Sequence, residues 1–198
     1  MVNTLSSVLL LKMDLIKYIH YINIIVWFLI PMRQFKTRLF LFFLILALVD
    51  PFLLGIYQFV QINSILYYLF CAIILLYPTL FEIKKSIRII LIVFFLILSF
   101  ISVQFSIIDA ILIQIIIHLM IFIFFLNLLV IYYSRNRQVL FFHLILVIYQ
   151  FSVLLKFYVY YSKIEFGEIY FFATTAFEIL IGLLFIFFNE NNSPKFSI

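Results

Sequence analysis

From 89 to 133 the chain runs 45 residues with one formal charge, Asp109. A single α-helix of that length would reach about 65 Å, roughly twice the hydrocarbon thickness of a bilayer. No soluble core of ordinary size absorbs so long an uncharged segment, so the stretch predicts two membrane spans joined by a tight turn. A weak polar break at Gln104-Phe105-Ser106, with Asp109 just beyond, marks that turn.

The same pattern repeats along the chain. Of 198 residues, 68% are hydrophobic and 11% charged, against about half and a quarter in soluble domains, so a fully water-exposed exterior is excluded. The apolar runs predict an all-α fold, a polytopic seven-helix transmembrane bundle in a single domain. Its spans fall at about 15–30, 39–60, 65–81, 89–103, 108–131, 139–160 and 169–188. Residues 1–14 are expected to extend the first helix or lie along the surface, and 189–198 to form a loose polar tail. The segments 31–38, 82–88, 134–138 and 189–198 carry nine of the thirteen Lys and Arg residues. By the positive-inside rule this predicts an N-terminus outside and a cytoplasmic C-terminus. The net charge of +5 is then a topological signature, and no basic face for nucleic acid is apparent. Cys71 is alone, which excludes a disulfide framework. The N-terminus lacks the basic cluster and cleavage site of a signal peptide, so the first span is expected to act as the insertion signal.

Against this background the informative residues are the polar ones at mid-span, because each needs a partner or a watery cavity. Asp50 lies halfway along the second span, His118 near the middle of the fifth and Glu178 near the middle of the seventh. Gln114 is one turn from His118, and Thr174 one turn from Glu178, each on the same helix face. Gln150 sits at mid-depth in the sixth span. Together Asp50, His118, Glu178, Gln114, Gln150 and Thr174 form a candidate intramembrane polar cluster. Two carboxyls and an imidazole at one level suit acid–base work or a divalent metal, or equally interhelical hydrogen bonds of purely structural value. Pro51 follows the acid and removes a helix bond to the carbonyl of Ala47. Asp109 and Lys156 are expected near outer helix ends, as a solvent-exposed pair. Tyr67, Tyr77, Tyr132, Tyr133, Tyr158 and Tyr160 read as interfacial anchors.

No lysine at mid-depth in the seventh span supports a retinal Schiff base, and no hydrolase, zinc, redox or nucleotide motif is present. No cofactor or metal is therefore assigned. Size and hydropathy are similar to small bacterial multispan proteins and to membrane sensor modules that precede cytoplasmic kinase domains. The expected role is a non-enzymatic sensing, scaffolding or partner-binding module in contact with membrane lipids and a possible membrane-protein partner, by default in a bacterial inner membrane. The alternative is a small membrane enzyme or carrier for a lipid or hydrophobic small molecule. The alternative gains if Asp50, His118 and Glu178 meet within about 4 Å or around a common void.

Overall fold

Short polar links between apolar runs force neighbouring helices to run antiparallel, and the computed structural model has that form. It describes residues 2–61, 63–105, 107–163 and 167–197, with side chains for 18–61, 63–101, 110–163, 170 and 172–197. Its helices are α1 (Val2–Arg33), α2 (Phe40–Tyr57), α3 (Ser64–Thr79), α4 (Lys85–Phe105), α5 (Ile107–Asn136), α6 (Phe141–Tyr161) and α7 (Gly167–Phe187). The first helix begins at Val2, so the N-terminal segment extends it. The expected turn near Gln104 falls where α4 gives way to α5. Among the described residues three helices, over Phe40–Tyr57, Ala110–Asn136 and Phe141–Tyr161, are long and apolar enough to cross a membrane.

Local chemistry sets several of these boundaries. Asn63 caps α3 by accepting the amide N–H of Ile65 at 3.0 Å. With only three glycines in the chain, the left-handed turns after α1, α5 and α6 fall to basic residues: Lys36, Arg137 and Lys163 have φ of 67°, 54° and 53°. Helix α2 continues through Pro51, and the chain's kink-prone segment is held by its neighbour. The Tyr67 hydroxyl donates to the Val49 carbonyl at 2.7 Å, so Tyr67, expected as an interfacial anchor, also ties α3 to α2.

Six helices close into a ring in the order α1, α2, α3, α5, α6, α7, with α7 returning to α1. Helix α4 stands outside it, against α3 and α5. In a regular ring of six the centre is one interaxial distance from every helix, about 8–10 Å, which is room for another helix. Side chains must fill that space or leave it hollow, and the two halves of the bundle differ in which they do.

One half is solid. Phe42, Phe43, Phe125, Phe142 and Phe185 are fully buried and interlock edge to face, with ring centroids 5.2 Å apart for Phe42–Phe125 and 4.8 Å for Phe43–Phe185. Beyond them the end of the bundle carrying 31–38, 82–88, 134–138 and 189–198 is latched by polar bonds. Gln34 donates to the carbonyls of Phe185 (2.8 Å) and Phe188 (3.0 Å). Arg38 pairs with Glu190 and lies 3.7 Å from Glu82. The final residues are not a loose tail. Residues 195–197 pair antiparallel with 138–140 as a two-stranded ribbon, the one departure from an all-helical chain among the described residues. Ser193 and Pro194 accept the first two amide N–H groups of α6, on Phe142 (2.8 Å) and Phe141 (3.0 Å). Those amides have no partner within the helix, so the tail serves as its cap.

The exterior is apolar over most of its length. Phe59, Met32, Phe100 and Ile90 are 85%, 73%, 72% and 65% exposed. So much unbroken apolar surface is foreign to a water-facing protein.

Gly182 marks the closest approach of α1 and α7. A Cβ there would lie 2.6 Å from Val26 Cγ1, whereas one at Gly55 would meet nothing. Gly182→Ala is expected to cost about 1–3 kcal/mol through overpacking. Gly55→Ala should be neutral or stabilising by about 0.5 kcal/mol. Thermal unfolding of both variants in one detergent checks the contrast.

Candidate functional site

The other half of the ring is hollow. A cavity of about 880 Å³ occupies it, bounded by all six ring helices and by no described residue of α4. Its floor is aromatic: Trp27 and Tyr149 pack with centroids 4.9 Å apart, over Phe185 at 6.4 and 6.2 Å. Those contacts join the cavity to the phenylalanine plug beneath it. Toward the opposite end the wall reaches Ser64, Tyr160 and Tyr170, near the α2–α3 and α6–α7 links.

Five of the six expected polar residues line this one void: Asp50, His118, Glu178, Gln114 and Thr174. Asp50, Glu178 and Thr174 each carry a bond to a neighbouring side chain or carbonyl. The Tyr68 hydroxyl donates to Asp50 Oδ1 at 3.1 Å, across the α2–α3 hairpin. Glu178 forms an ion pair with Lys156, across the α6–α7 hairpin. Lys156 therefore belongs to the cavity wall and is not a bystander at an exposed helix end; the side chain of Asp109, its expected partner, lies outside the described residues. Thr174 Oγ1 donates one turn back to the Tyr170 carbonyl at 2.8 Å.

Gln150, the sixth, stands behind the wall and orients a member of it. Its Nε2 donates to the His118 carbonyl at 3.1 Å and lies 2.7 Å from His118 Nδ1. A carbonyl can only accept, so the amide nitrogen is the donor in both contacts, and Nδ1 accepts. The imidazole is thereby held as the neutral tautomer with its proton on Nε2. Phe157 stacks on the ring at 5.0 Å and 20°, fixing its plane. Nε2–H has no partner among the described residues.

Two further groups are buried in the wall without a partner. Asn23 Oδ1 and Gln114 Nε2 make no hydrogen bond, although the residues are 7% and 2% exposed. Leaving one such group unpaired costs about 1–3 kcal/mol. Groups of this kind, bordering a void, are what a bound molecule would satisfy.

Among the described residues no three His, Cys, Asp or Glu side chains gather closely enough to hold an ion. Asp50, His118 and Glu178 share a void without converging on a point in it. Sequence position alone missed Tyr68 and Lys156 as partners. Distance from the link gave little signal for either, because Asp50 and Tyr68 lie seven and four residues from their helix ends and Lys156 and Glu178 lie five and eleven.

Comparison of the chain with protein-family models, with curated proteins and with solved structures gives no match.

The Lys156–Glu178 pair predicts a coupled mutational response. Lys156→Met strands the carboxylate and is expected to destabilise by about 2 kcal/mol. Adding Glu178→Met should recover about 1 kcal/mol or more of that loss, since the stranded charge is then gone. A double-mutant cycle by thermal unfolding in lipid nanodiscs measures the coupling. Additive losses would show that the two side chains act independently.

Proposed function

We propose that the chain is an integral membrane protein with seven spans, its N-terminus outside and its C-terminus cytoplasmic, which binds a lipid or another hydrophobic small molecule in the hollow half of its ring. The observation carrying this reading is the convergence of Asp50, His118 and Glu178 on one void. At about 880 Å³ the void falls within the range of ligand pockets, roughly 300–1,000 Å³. Its mix of aromatic walls and a few placed polar groups is also that of a ligand site.

Binding or carriage fits better than catalysis. Glu178 is engaged by Lys156, Asp50 by Tyr68, and His118 Nδ1 by Gln150. No carboxylate is bonded to the His118 imidazole among the described contacts, and the hydroxyl that meets a carboxylate, on Tyr68, is engaged with Asp50 alone. A sensing role is compatible with the same cavity, with occupancy as the signal.

The clustering of basic residues at the latched end supports this topology, and in that orientation the cavity lies in the outer half of the bundle. Cysteine scanning tests this directly after Cys71, the single cysteine, is changed to Ser. A cysteine at Asn136 should react only with reagent supplied from the cytoplasmic side. One at Ser162 should react only from the outside. The reverse labelling pattern would overturn the orientation.

Trp27 is the only tryptophan and lies on the cavity floor, so its emission reports occupancy. Brominated phospholipid is expected to quench it in the wild type. Ala72, buried in the wall, offers a way to fill the space. Ala72→Phe should abolish saturable quenching and remove any co-purifying lipid seen by native mass spectrometry, while the bundle still assembles. Equal quenching and equal retained lipid in wild type and Ala72→Phe would refute the binding site.

A further inference from the structure

Resting on the reading of the void as a ligand site, we infer that its ligand is an amphipathic amine carrying a nearby oxygen function, with Asp50 as the counter-ion of the amine. Among the described residues the charges lining the cavity are Asp50, Glu178 and Lys156. Lys156 neutralises Glu178, which leaves among them one formal negative charge, at Asp50, with the histidines taken as neutral. Asp50 receives a single hydrogen bond, from Tyr68, and has no cationic partner among the described residues. A carboxylate accepts up to about four hydrogen bonds, so most of its capacity is open.

The unpaired groups are sorted by wall. On the α1–α2 side are acceptors: the carboxylate of Asp50 and Asn23 Oδ1, which is buried and unbonded. On α5, opposite α1 in the ring order, are donors: Gln114 Nε2, also buried and unbonded, and the Nε2–H of His118. An ammonium group supplies three donors and no acceptor, which matches the first wall and not the second. An oxygen one or two bonds away on the same head group would serve the second. The rings of Trp27, Tyr68 and Tyr149 offer the π-faces that favour a desolvated cation, and the remaining apolar wall suits a hydrocarbon chain. An anionic head group meets the opposite conditions at Asp50.

The test uses four eight-carbon probes of matched chain length: 2-aminooctan-1-ol, octylamine, octan-1-ol and octanoate. Each is titrated against the full chain in phosphatidylcholine nanodiscs, with Trp27 emission as readout and Ala72→Phe as the blocked control. Octylamine is expected to bind at least tenfold more tightly than octanol, and octanoate more weakly than both. The amino alcohol should exceed octylamine by several-fold. Asp50→Asn should bring octylamine down to the level of octanol without altering octanol itself. Asp50→Glu, which keeps the charge, should retain the amine preference and guards against a folding defect in the neutral variant. Gln114→Leu should remove only the advantage of the amino alcohol. Octanol binding as tightly as octylamine, or an amine preference that survives Asp50→Asn, overturns the inference while leaving the cavity as a binding site. An amino alcohol no better than octylamine removes the oxygen function from it. If no probe gives a saturable response that Ala72→Phe blocks, the binding reading fails as well.

Discussion

The structure depends on a geometric deficit at the centre of its ring. Six helices packed edge to edge enclose a core wider than their inward side chains readily fill. At the latched end the deficit is met by phenylalanines from four different helices, α2, α5, α6 and α7, which interlock. Above Trp27 and Tyr149 the wall takes in Ala47 and Ala72 beside larger aromatic and polar side chains, and the space stays open. One bundle thus has a rigid half and a receptive half, divided by an aromatic floor.

Polar bonds are placed to match. At the latched end they join residues far apart in sequence: Gln34 to the end of α7, Arg38 to Glu190, and the 195–197 strand to 138–140. Such cross-links fix the relative heights of α1, α6 and α7. In the hollow half the bonds run between helices of a single hairpin, Tyr68 to Asp50, Gln150 to His118 and Lys156 to Glu178. They hold each hairpin together while leaving the ring's interior unsatisfied. Buried groups without a bond occur at the latched end too, at Gln34 Oε1 and on His143, but Gln114 Nε2 and Asn23 Oδ1 are the ones that belong to residues of the cavity wall, where an occupant could satisfy them.

Much of this was legible before any coordinates. Seven helices, their short links, the turn between α4 and α5, and the three mid-span ionisable residues all follow from where apolar runs start and stop. The grouping of Gln114 with His118 and of Thr174 with Glu178 follows from the helical repeat. Two details misled. Lys156 looked peripheral because its distance from the helix end was counted without asking which residue faced it. The residues after Asn189 looked unstructured because their polarity says nothing about the unpaired amides of α6 that they cap.

The sequence by itself determined the class of fold, since the length and polarity of an apolar segment are local properties that no packing arrangement can undo. Only the tertiary structure decided that α4 leaves the ring and that α7 closes it against α1 at Gly182. It also decided that Asp50, His118 and Glu178 look into one shared space. Helix order and facing are properties of pairs, and a void is a shortage of side-chain volume summed over six segments. No one stretch of the chain contains either.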